Sequence, residues 1–190
     1  MIEPSFLGIS KSAWDMINGF ANWFAALGSL AAAVVALYIA NRAAKPTARV
    51  SVTQNLIVAS GSSPPYPEFA RFRIVNTGDR PIRITQLGWK WGVFRKRYAI
   101  QMHEHPLSSG LPVELSHGQE ANWYIPFSVG PEPWPEYFAK KALLPRYRIA
   151  LWTLRGQFYS SVGYVFEARP EATLLNYLRA ACEKISRQRH

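Results

Sequence analysis

The sequence predicts a mainly β protein, in which an antiparallel β-sandwich of about seven strands lies between an amino-terminal transmembrane helix and a carboxy-terminal amphipathic helix. Three observations support this prediction. The 26 residues between Asp15 and Arg42 carry no formal charge. Beyond Pro46 the apolar residues change from a helical to a twofold period, and beyond Pro170 they return to a helical one.

These changes divide the chain into an amino-terminal tail (1–16), a transmembrane helix (17–40), a hinge (41–46), a β-sandwich domain (47–168) and a carboxy-terminal amphipathic helix (169–190). About 20 apolar residues, each rising about 1.5 Å, cross a hydrocarbon core of about 30 Å. Trp23 and Tyr38 stand toward the two ends of the span, where amphipathic rings favour the membrane interface. Pro46 lacks the amide that a continuing helix needs.

Two other interpretations of this span fit its composition less well. A buried helix of a soluble domain needs a polar stripe, whereas only Asn18, Asn22 and Ser29 interrupt the apolar surface. A cleaved signal peptide has a basic leader and an apolar region of about 7–15 residues. This apolar region is longer, and its leader contains Glu3 and Asp15. The sequence favours a retained span.

The charges beside the span predict its orientation. Arg42, Lys45 and Arg49 follow it directly, and basic flanks normally stay in the cytoplasm. Cys182 is the only cysteine, so an intramolecular disulfide is excluded and a reducing compartment is favoured. The soluble domain is therefore predicted to be cytoplasmic.

Small residues repeat along the span at spacings of three and four, which place them on one helix face. They are Ala21, Ala25, Gly28, Ser29, Ala32, Ala33 and Ala36. Within hydrocarbon, such a stripe lets helix backbones approach closely. It predicts a self-association face that forms a homo-oligomer, although alanine is also common in weakly hydrophobic spans.

Seven segments rich in β-branched and aromatic residues are predicted to be strands: 48–58, 69–75, 82–91, 93–102, 121–127, 147–154 and 158–166. Alternation is clearest in 69–75, where Arg71 and Arg73 alternate with apolar neighbours. Asn76 to Pro81 is predicted to form a hairpin loop, with Gly78 able to take a left-handed conformation.

One run in the anchor and four runs in the domain are similar to those of a known type of protein. They are Trp23 to Ala32 in the anchor, and Val75-Asn76-Thr77-Gly78, Pro81 to Ile84, Leu87-Gly88-Trp89 and Leu115 to Gln119 in the domain. They resemble a recurrent type of small bacterial and prophage-encoded membrane protein with one amino-terminal span and an immunoglobulin-like β-sandwich. The resemblance implies an immunoglobulin-like domain at the bacterial inner membrane and supplies no catalytic residues to carry over. The paired cysteines of antibody domains are absent.

Two further helical segments are predicted. Residues 131–145 indicate a loop with a short helix, in which Trp134 and Phe138 cap the core. Leu174, Leu178 and Ile185 share one face of the last segment, which is therefore amphipathic. Packing on its own domain is expected, with the membrane surface or a partner's groove as alternatives.

Lys90, Arg95, Lys96 and Arg97 are interleaved with aromatic residues and form a candidate basic surface. The net charge is +10, of which +9 lies on residues 47–190, and this excess favours anionic partners. For a tethered domain the membrane lipid is the nearest such partner. Such a run also contacts phosphates and stacks on bases, but on strands it more often forms a solvated basic face, so nucleic acid is less favoured.

No catalytic residue, metal site or cofactor is predicted. His103-Glu104-His105, with His117 elsewhere, supplies too few ligands for a typical zinc site. The chain lacks a glycine-rich phosphate loop, a nucleophile elbow, a zinc-protease helix and paired metal-binding cysteines. The sequence therefore favours a protein that is not an enzyme.

Three hypotheses of function follow. The favoured one is a non-enzymatic, membrane-anchored interaction module that binds a protein partner or sibling subunits at the inner membrane. The second is an oligomerising membrane effector that forms a pore or disrupts the bilayer when its domain senses a signal. The third is a membrane-tethered nucleic-acid binder.

Overall fold

A computed structural model describes residues 5–6, 9–43, 45–58, 61, 63–102, 105–128 and 131–188. The chain divides into two compact units, Met1–Lys45 and Pro46–His190. In the described residues the first is dominated by one long helix, and the second contains two antiparallel sheets, three α-helices and a π-helical turn, so the fold is mixed α/β and not mainly β as predicted.

The first unit is built around helix α1 (Lys11–Ala43), which follows the short antiparallel strands β1 (Ser5–Phe6) and β2 (Ile9–Ser10). Between Trp14 and Asn41 the helix is long and apolar enough to cross a membrane, and its most apolar 18 residues have a mean hydropathy of 2.0. None of that stretch is buried inside the chain. The helix extends beyond the predicted 17–40 at both ends, because helical backbone continues past the point where apolar composition stops.

The described residues of the second unit form eight strands, all in antiparallel pairs. They are β3 (Ala48–Leu56), β4 (Glu68–Asn76), β5 (Ile82–Trp91), β6 (Arg97–Ile100), β7 (Val113–Leu115), β8 (Glu120–Pro126), β9 (Arg155–Ser160) and β10 (Val165–Ala168). One sheet has the order β3-β4-β8 and the other the order β10-β9-β5-β6. Strand β7 pairs with the first residues of β5, on the same edge as β6.

An aromatic core joins the two sheets. Phe72 of β4 contacts Trp89 of β5 and Phe158 of β9, with ring centroids 4.9 and 5.5 Å apart. Trp123 of β8 lies 6.2 Å from Phe158. All four rings are fully buried, because alternate residues of each strand face inward. Burial of a side chain of this size contributes on the order of 2–3 kcal/mol.

The close approach of the sheets requires a glycine in β9. A Cβ atom on Gly156 would lie 2.5 Å from Val52 Cγ2 and 3.1 Å from Phe72 Cε1. Neither neighbour has room to move in a close-packed core. Position 156 is therefore restricted to glycine by packing.

The prediction of a strand at 147–154 is wrong, because residues Tyr147–Thr153 form helix α3. Ala150, Leu151 and Leu154 are buried, while Arg148, Ile149 and Trp152 are exposed. This is a helical period, and the aromatic and aliphatic content of the segment concealed it.

Two other strand predictions need correction, and one strand was not predicted. The segment 158–166 is two strands, β9 and β10, joined by a turn in which Gly163 has φ +79°. In the segment 93–102 only Arg97–Ile100 is strand, because the chain turns before it. Strand β7, with three residues, was not predicted because it is too short to show a period.

The predicted hairpin at 76–81 is also wrong, because β4 and β5 lie in different sheets. The fully buried Asn76 directs this crossing: its Nδ2 donates 2.8 Å hydrogen bonds to the carbonyls of Arg80 and Leu115. Its Oδ1 accepts one from the Gly78 amide at 2.9 Å. Gly78 lacks the predicted left-handed conformation, and a Cβ there would meet the Thr47 hydroxyl instead.

Helices close the core as predicted. Helix α2 (Trp134–Phe138) runs into a π-helical turn (Ala139–Leu143). Helix α4 (Ala172–Gln188) buries its apolar face in the domain core, which confirms packing on its own domain. The Tyr177 ring lies 5.1 Å from that of Phe127, and Lys184 Nζ lies 2.7 Å from Glu136 Oε1.

Candidate binding face

The β5–β6 hairpin forms one wall of a cleft on the domain. Its register pairs Trp91 with Arg97 and Trp89 with Ala99, so these four residues share one face of the sheet. Trp89 is fully buried at the base, and its indole Nε1 donates a 2.8 Å hydrogen bond to Gln101 Oε1. The residue after β6 thus fixes the ring at the base of the cleft.

Helix α2 forms the opposite wall. The rings of Trp134 and Phe138 stack with centroids 5.3 Å apart and an interplanar angle of 11°, and Phe138 lies 5.2 Å from Trp89. These contacts confirm the predicted capping role of the two residues. Tyr137 and Lys141 lie four residues apart and stay exposed beside the cleft.

The cleft has a volume of about 920 Å³. Trp89, Trp91 and Phe138 are buried at its base. Arg97, Met102, His105, Tyr137 and Lys141 lie around these rings. Ligand sites are typically concave and apolar, with a few polar groups placed at the edge. The cleft has this composition and this size.

The charge around the cleft is positive. Lys140 Nζ lies 3.7 Å from Glu132 Oε1, and Glu136 is paired with Lys184, so these two carboxylates are neutralised. Arg97 and Lys141 make no ion pair with any residue that the structure describes. No aspartate or glutamate is among the described residues that line the cleft. An acidic group on a ligand would therefore meet two cations and no carboxylate among the described lining residues.

The structure separates the four residues of the candidate basic surface. Lys90 pairs with Tyr98 across the hairpin and lies on the opposite sheet face from Arg97. There Lys90 Nζ binds Glu167 Oε1 at 2.7 Å, and Gln157 Nε2 donates to the same oxygen at 2.9 Å. Arg95 and Lys96 are exposed in the turn between the strands. Only Arg97 lines the large cleft.

The surroundings of the Lys90–Glu167 ion pair shift the pKa of the Glu167 carboxyl. Desolvation raises the pKa of Glu167, but the hydrogen bonds from Lys90 and Gln157 and the charges of Lys90 and Arg155 outweigh it. The net pKa of Glu167 lies below the ordinary value. Lys90 is thus engaged in a structural pair on the outer face.

The predicted self-association residues all lie in α1 and are exposed. A Cβ atom on Gly28 would meet nothing within 4 Å. The Ser29 hydroxyl donates a 2.9 Å hydrogen bond to the Ala25 carbonyl, so this polar group is satisfied within the helix. The stripe is thus an exposed row of small side chains along α1.

Within the described part of the chain, no group of three histidine, cysteine, aspartate or glutamate side chains is arranged to hold a metal ion. His103 and Glu104 of the sequence candidate lie outside it. The His105 ring lies 4.8 Å from Phe69, and His117 Nδ1 lies 3.2 Å from the Gly78 carbonyl. Burial is the main cause that raises the pKa of Cys182 to about 11, so its thiol stays protonated and unreactive.

Sequence reasoning missed Gln101, Met102, Tyr137 and Lys141 as cleft residues. Tyr137 and Lys141 had a signal, since they lie four residues apart in the predicted short helix and share one of its faces. Gln101 and Met102 had none, because their place depends on where β6 ends and on the approach of α2.

Comparisons with known proteins show little. No protein-family model matches the sequence, and no curated protein matches it significantly. A crystal structure of the putative ApaA protein from Bordetella pertussis is 19% identical, covers 66% of this chain and 89% of its own, and has a TM-score of 0.33. The X-ray structure of structural genomics target SoR45 is 13% identical, covers 65% of this chain and 82% of its own, and has a TM-score of 0.31. Neither score is high enough to support an argument.

Proposed function

We propose that the chain is a non-enzymatic interaction module, anchored by α1 in the bacterial inner membrane with its domain in the cytoplasm. The aromatic cleft between β6 and α2 binds an apolar segment of a protein partner that carries an acidic side chain. The cleft is the observation that carries this proposal, because it combines a buried aromatic base with two cations, Arg97 and Lys141, that form no ion pair with a described residue.

The anchor is supported by the exposure of α1. Leu30, Phe24 and Trp23 are 63–72% exposed although the helix is strongly apolar. A soluble protein rarely leaves so large an apolar surface in water. Lipid chains can surround such a helix without leaving backbone groups unpaired, because the backbone N–H and C=O groups of an α-helix hydrogen-bond to one another.

The immunoglobulin-like assignment, and with it the resemblance to small bacterial and prophage membrane proteins, stays part of the proposal. In an immunoglobulin variable domain the strands A, B and E lie together, and G, F, C and C′ form the second sheet. Taken in chain order, β3-β4-β8 corresponds to A-B-E and β10-β9-β5-β6 to G-F-C-C′, whereas β7, which pairs with β5, does not take the place of strand D. This agreement supports a sandwich of that type.

Sibling subunits are a second candidate partner. The small-residue stripe on α1 is exposed along its length. A Cβ atom added at Gly28 would have no described neighbour within 4 Å, so there is open space beside this residue. Close backbone approach through such stripes drives helix association in lipid. This surface supports a homo-oligomer, the state that the membrane-effector hypothesis also requires.

Site-specific photocrosslinking in intact membranes tests the cleft. A photoreactive amino acid at Tyr137, an exposed residue of the cleft, is expected to crosslink to a partner peptide that contains aspartate or glutamate, identified by mass spectrometry. The same probe at Trp152, an exposed aromatic residue outside the cleft, is the matched control and is expected to give no such product.

Charge reversal makes this test specific. Arg97→Glu with Lys141→Glu removes both cations and is expected to abolish the Tyr137 crosslink. Arg83→Glu, on an exposed residue of β5 outside the cleft, is expected to leave it unchanged. A crosslink that survives the double reversal contradicts the proposed recognition of an acidic segment.

A further inference from the structure

The turn between β5 and β6 holds one aromatic side chain entirely in solvent. Phe94 is 99% exposed at its tip, and Val93 beside it is 47% exposed. Gly92 begins the turn with φ +102°, and a Cβ there would collide with the carbonyl oxygen of Arg95. The Gly92 amide donates a 2.9 Å hydrogen bond to the Thr153 hydroxyl of α3. The turn therefore has a defined shape that presents Phe94 outward.

Cations surround this apolar tip. Arg95, Lys96 and Arg97 follow Phe94 directly and are exposed, and none forms an ion pair with a described residue. Arg146 comes from the chain before α3 and lines the same groove of about 550 Å³ as Phe94 and Arg95. Among the described residues that line this groove there is no carboxylate.

The shape of this surface differs from that of the aromatic cleft. The cleft is concave with its aromatic rings buried, whereas the turn projects a fully exposed ring with cations around its base. A solvated turn accounts for the cations but not for a phenylalanine at its tip. Aromatic rings favour the interfacial region of a bilayer, and basic side chains there bind anionic headgroups.

We infer that the β5–β6 turn is a second membrane contact, in which Phe94 and Val93 enter the headgroup region of an anionic bilayer and Arg95, Lys96 and Arg146 bind lipid phosphates. This inference rests on the proposed anchoring by α1, which keeps a bilayer at high effective concentration around the domain. It adds that the domain docks on the lipid surface rather than only being tethered to it.

The test uses the full chain reconstituted into lipid nanodiscs with an environment-sensitive fluorophore on a single introduced cysteine. Val93→Cys places the probe beside Phe94, and Val162→Cys places it on the β9–β10 turn, where the valine is 76% exposed and has no basic neighbour between Ser160 and Tyr164. Native Cys182 is fully buried, and the wild-type chain taken through the same labelling measures any reaction there.

Discs of phosphatidylcholine alone are compared with discs that also contain phosphatidylglycerol. The expected result is a blue-shifted, brighter emission at position 93 in the anionic discs only, with no shift at 162. Phe94→Ser or Arg95→Glu with Lys96→Glu is expected to remove the shift, and each cation contributes about a fivefold change in docking at low salt.

Other outcomes overturn the inference. Emission at 93 that is the same in both kinds of disc, or a shift that also appears at 162, shows that the turn does not dock specifically. A shift at 93 that appears in neutral discs only after addition of single-stranded DNA assigns the turn to nucleic acid. A chain that does not co-elute with the discs at all overturns the anchoring by α1, which separates that failure from a failure of docking.

Discussion

Helix α1 and the core of the β domain contain similar apolar side chains, but these side chains are buried in the domain and exposed in α1. In the domain Phe72, Leu87 and Trp89 are fully buried, whereas in α1 Phe24 is 72% and Leu30 is 63% exposed. The domain core has partners for its rings from both sheets and from α2. The domain thus satisfies its apolar groups within the chain, whereas α1 needs an apolar environment from outside it.

This difference predicts that the same substitution destabilises the domain strongly in the core and hardly at all in α1, and it is the largest effect expected. Leu87→Ala removes a fully buried side chain and leaves a cavity, so it is expected to lower the free energy of unfolding of the domain by about 2–5 kcal/mol. Leu30→Ala, in α1, is expected to change it by less than about 0.5 kcal/mol. Thermal unfolding of the full chain in nanodiscs measures both effects. Equal losses of domain stability in the two variants contradict the idea that α1 and the domain core bury their apolar side chains in different environments.

A second substitution tests how closely the domain is packed. Gly156→Ala is expected to destabilise the domain by about 1–3 kcal/mol, because its Cβ collides with Val52 and Phe72 between the sheets. Gly110→Ala is the matched control, since a Cβ there meets nothing within 4 Å. An unchanged unfolding midpoint for Gly156→Ala would contradict the close approach of the two sheets at this position.

A third change tests the polar group that the domain buries. Asn76→Ala removes the donor to two carbonyls and the acceptor for the Gly78 amide, and is expected to cost about 1–3 kcal/mol. Asn176→Ala, on the exposed side of α4, is expected to cost nothing. Denaturant unfolding compares the two, and hydrogen exchange at Gly78 locates the effect.

The smallest effect concerns the ion pair on the outer face of the domain. Because the folded-state pKa of Glu167 is lowered, its contribution is present above the ordinary glutamate value of 4.5 and is lost as the pH falls through the lowered value. Glu167→Gln is therefore expected to lower stability by up to about 1 kcal/mol at pH 7. The difference from wild type is expected to disappear in acid, and a constant difference across pH contradicts this assignment.

Sequence reasoning succeeded where periodicity was long and failed where tertiary contacts decided. The apolar run of α1, the alternation around Phe72 and the amphipathic face of α4 were all visible in the sequence. Tyr147 to Leu154 was mistaken for a strand because its Ile, Leu and Trp residues favour either structure. The crossing at Asn76 depends on a carbonyl of Leu115, far along the chain, so no local pattern predicts it.

The candidate site was predicted only in part for the same reason. Arg97 was identified from the basic run, and Trp134 and Phe138 from the short helix. The cleft exists because β6 and α2 approach each other, and this neighbourhood is a property of the fold. Lys90 and Arg97 are close in sequence, but the twofold period of a strand places them on opposite faces.

The most direct test of the central claim is membrane fractionation combined with protease accessibility of a carboxy-terminal tag, with an amino-terminal tag as the control. If α1 anchors a cytoplasmic domain, the protein sediments with the inner membrane, and in spheroplasts its carboxy-terminal tag is protected while the amino-terminal tag is cleaved. A carboxy-terminal tag that is cleaved in intact spheroplasts contradicts the proposed orientation. A protein that stays in the soluble fraction contradicts the anchor itself.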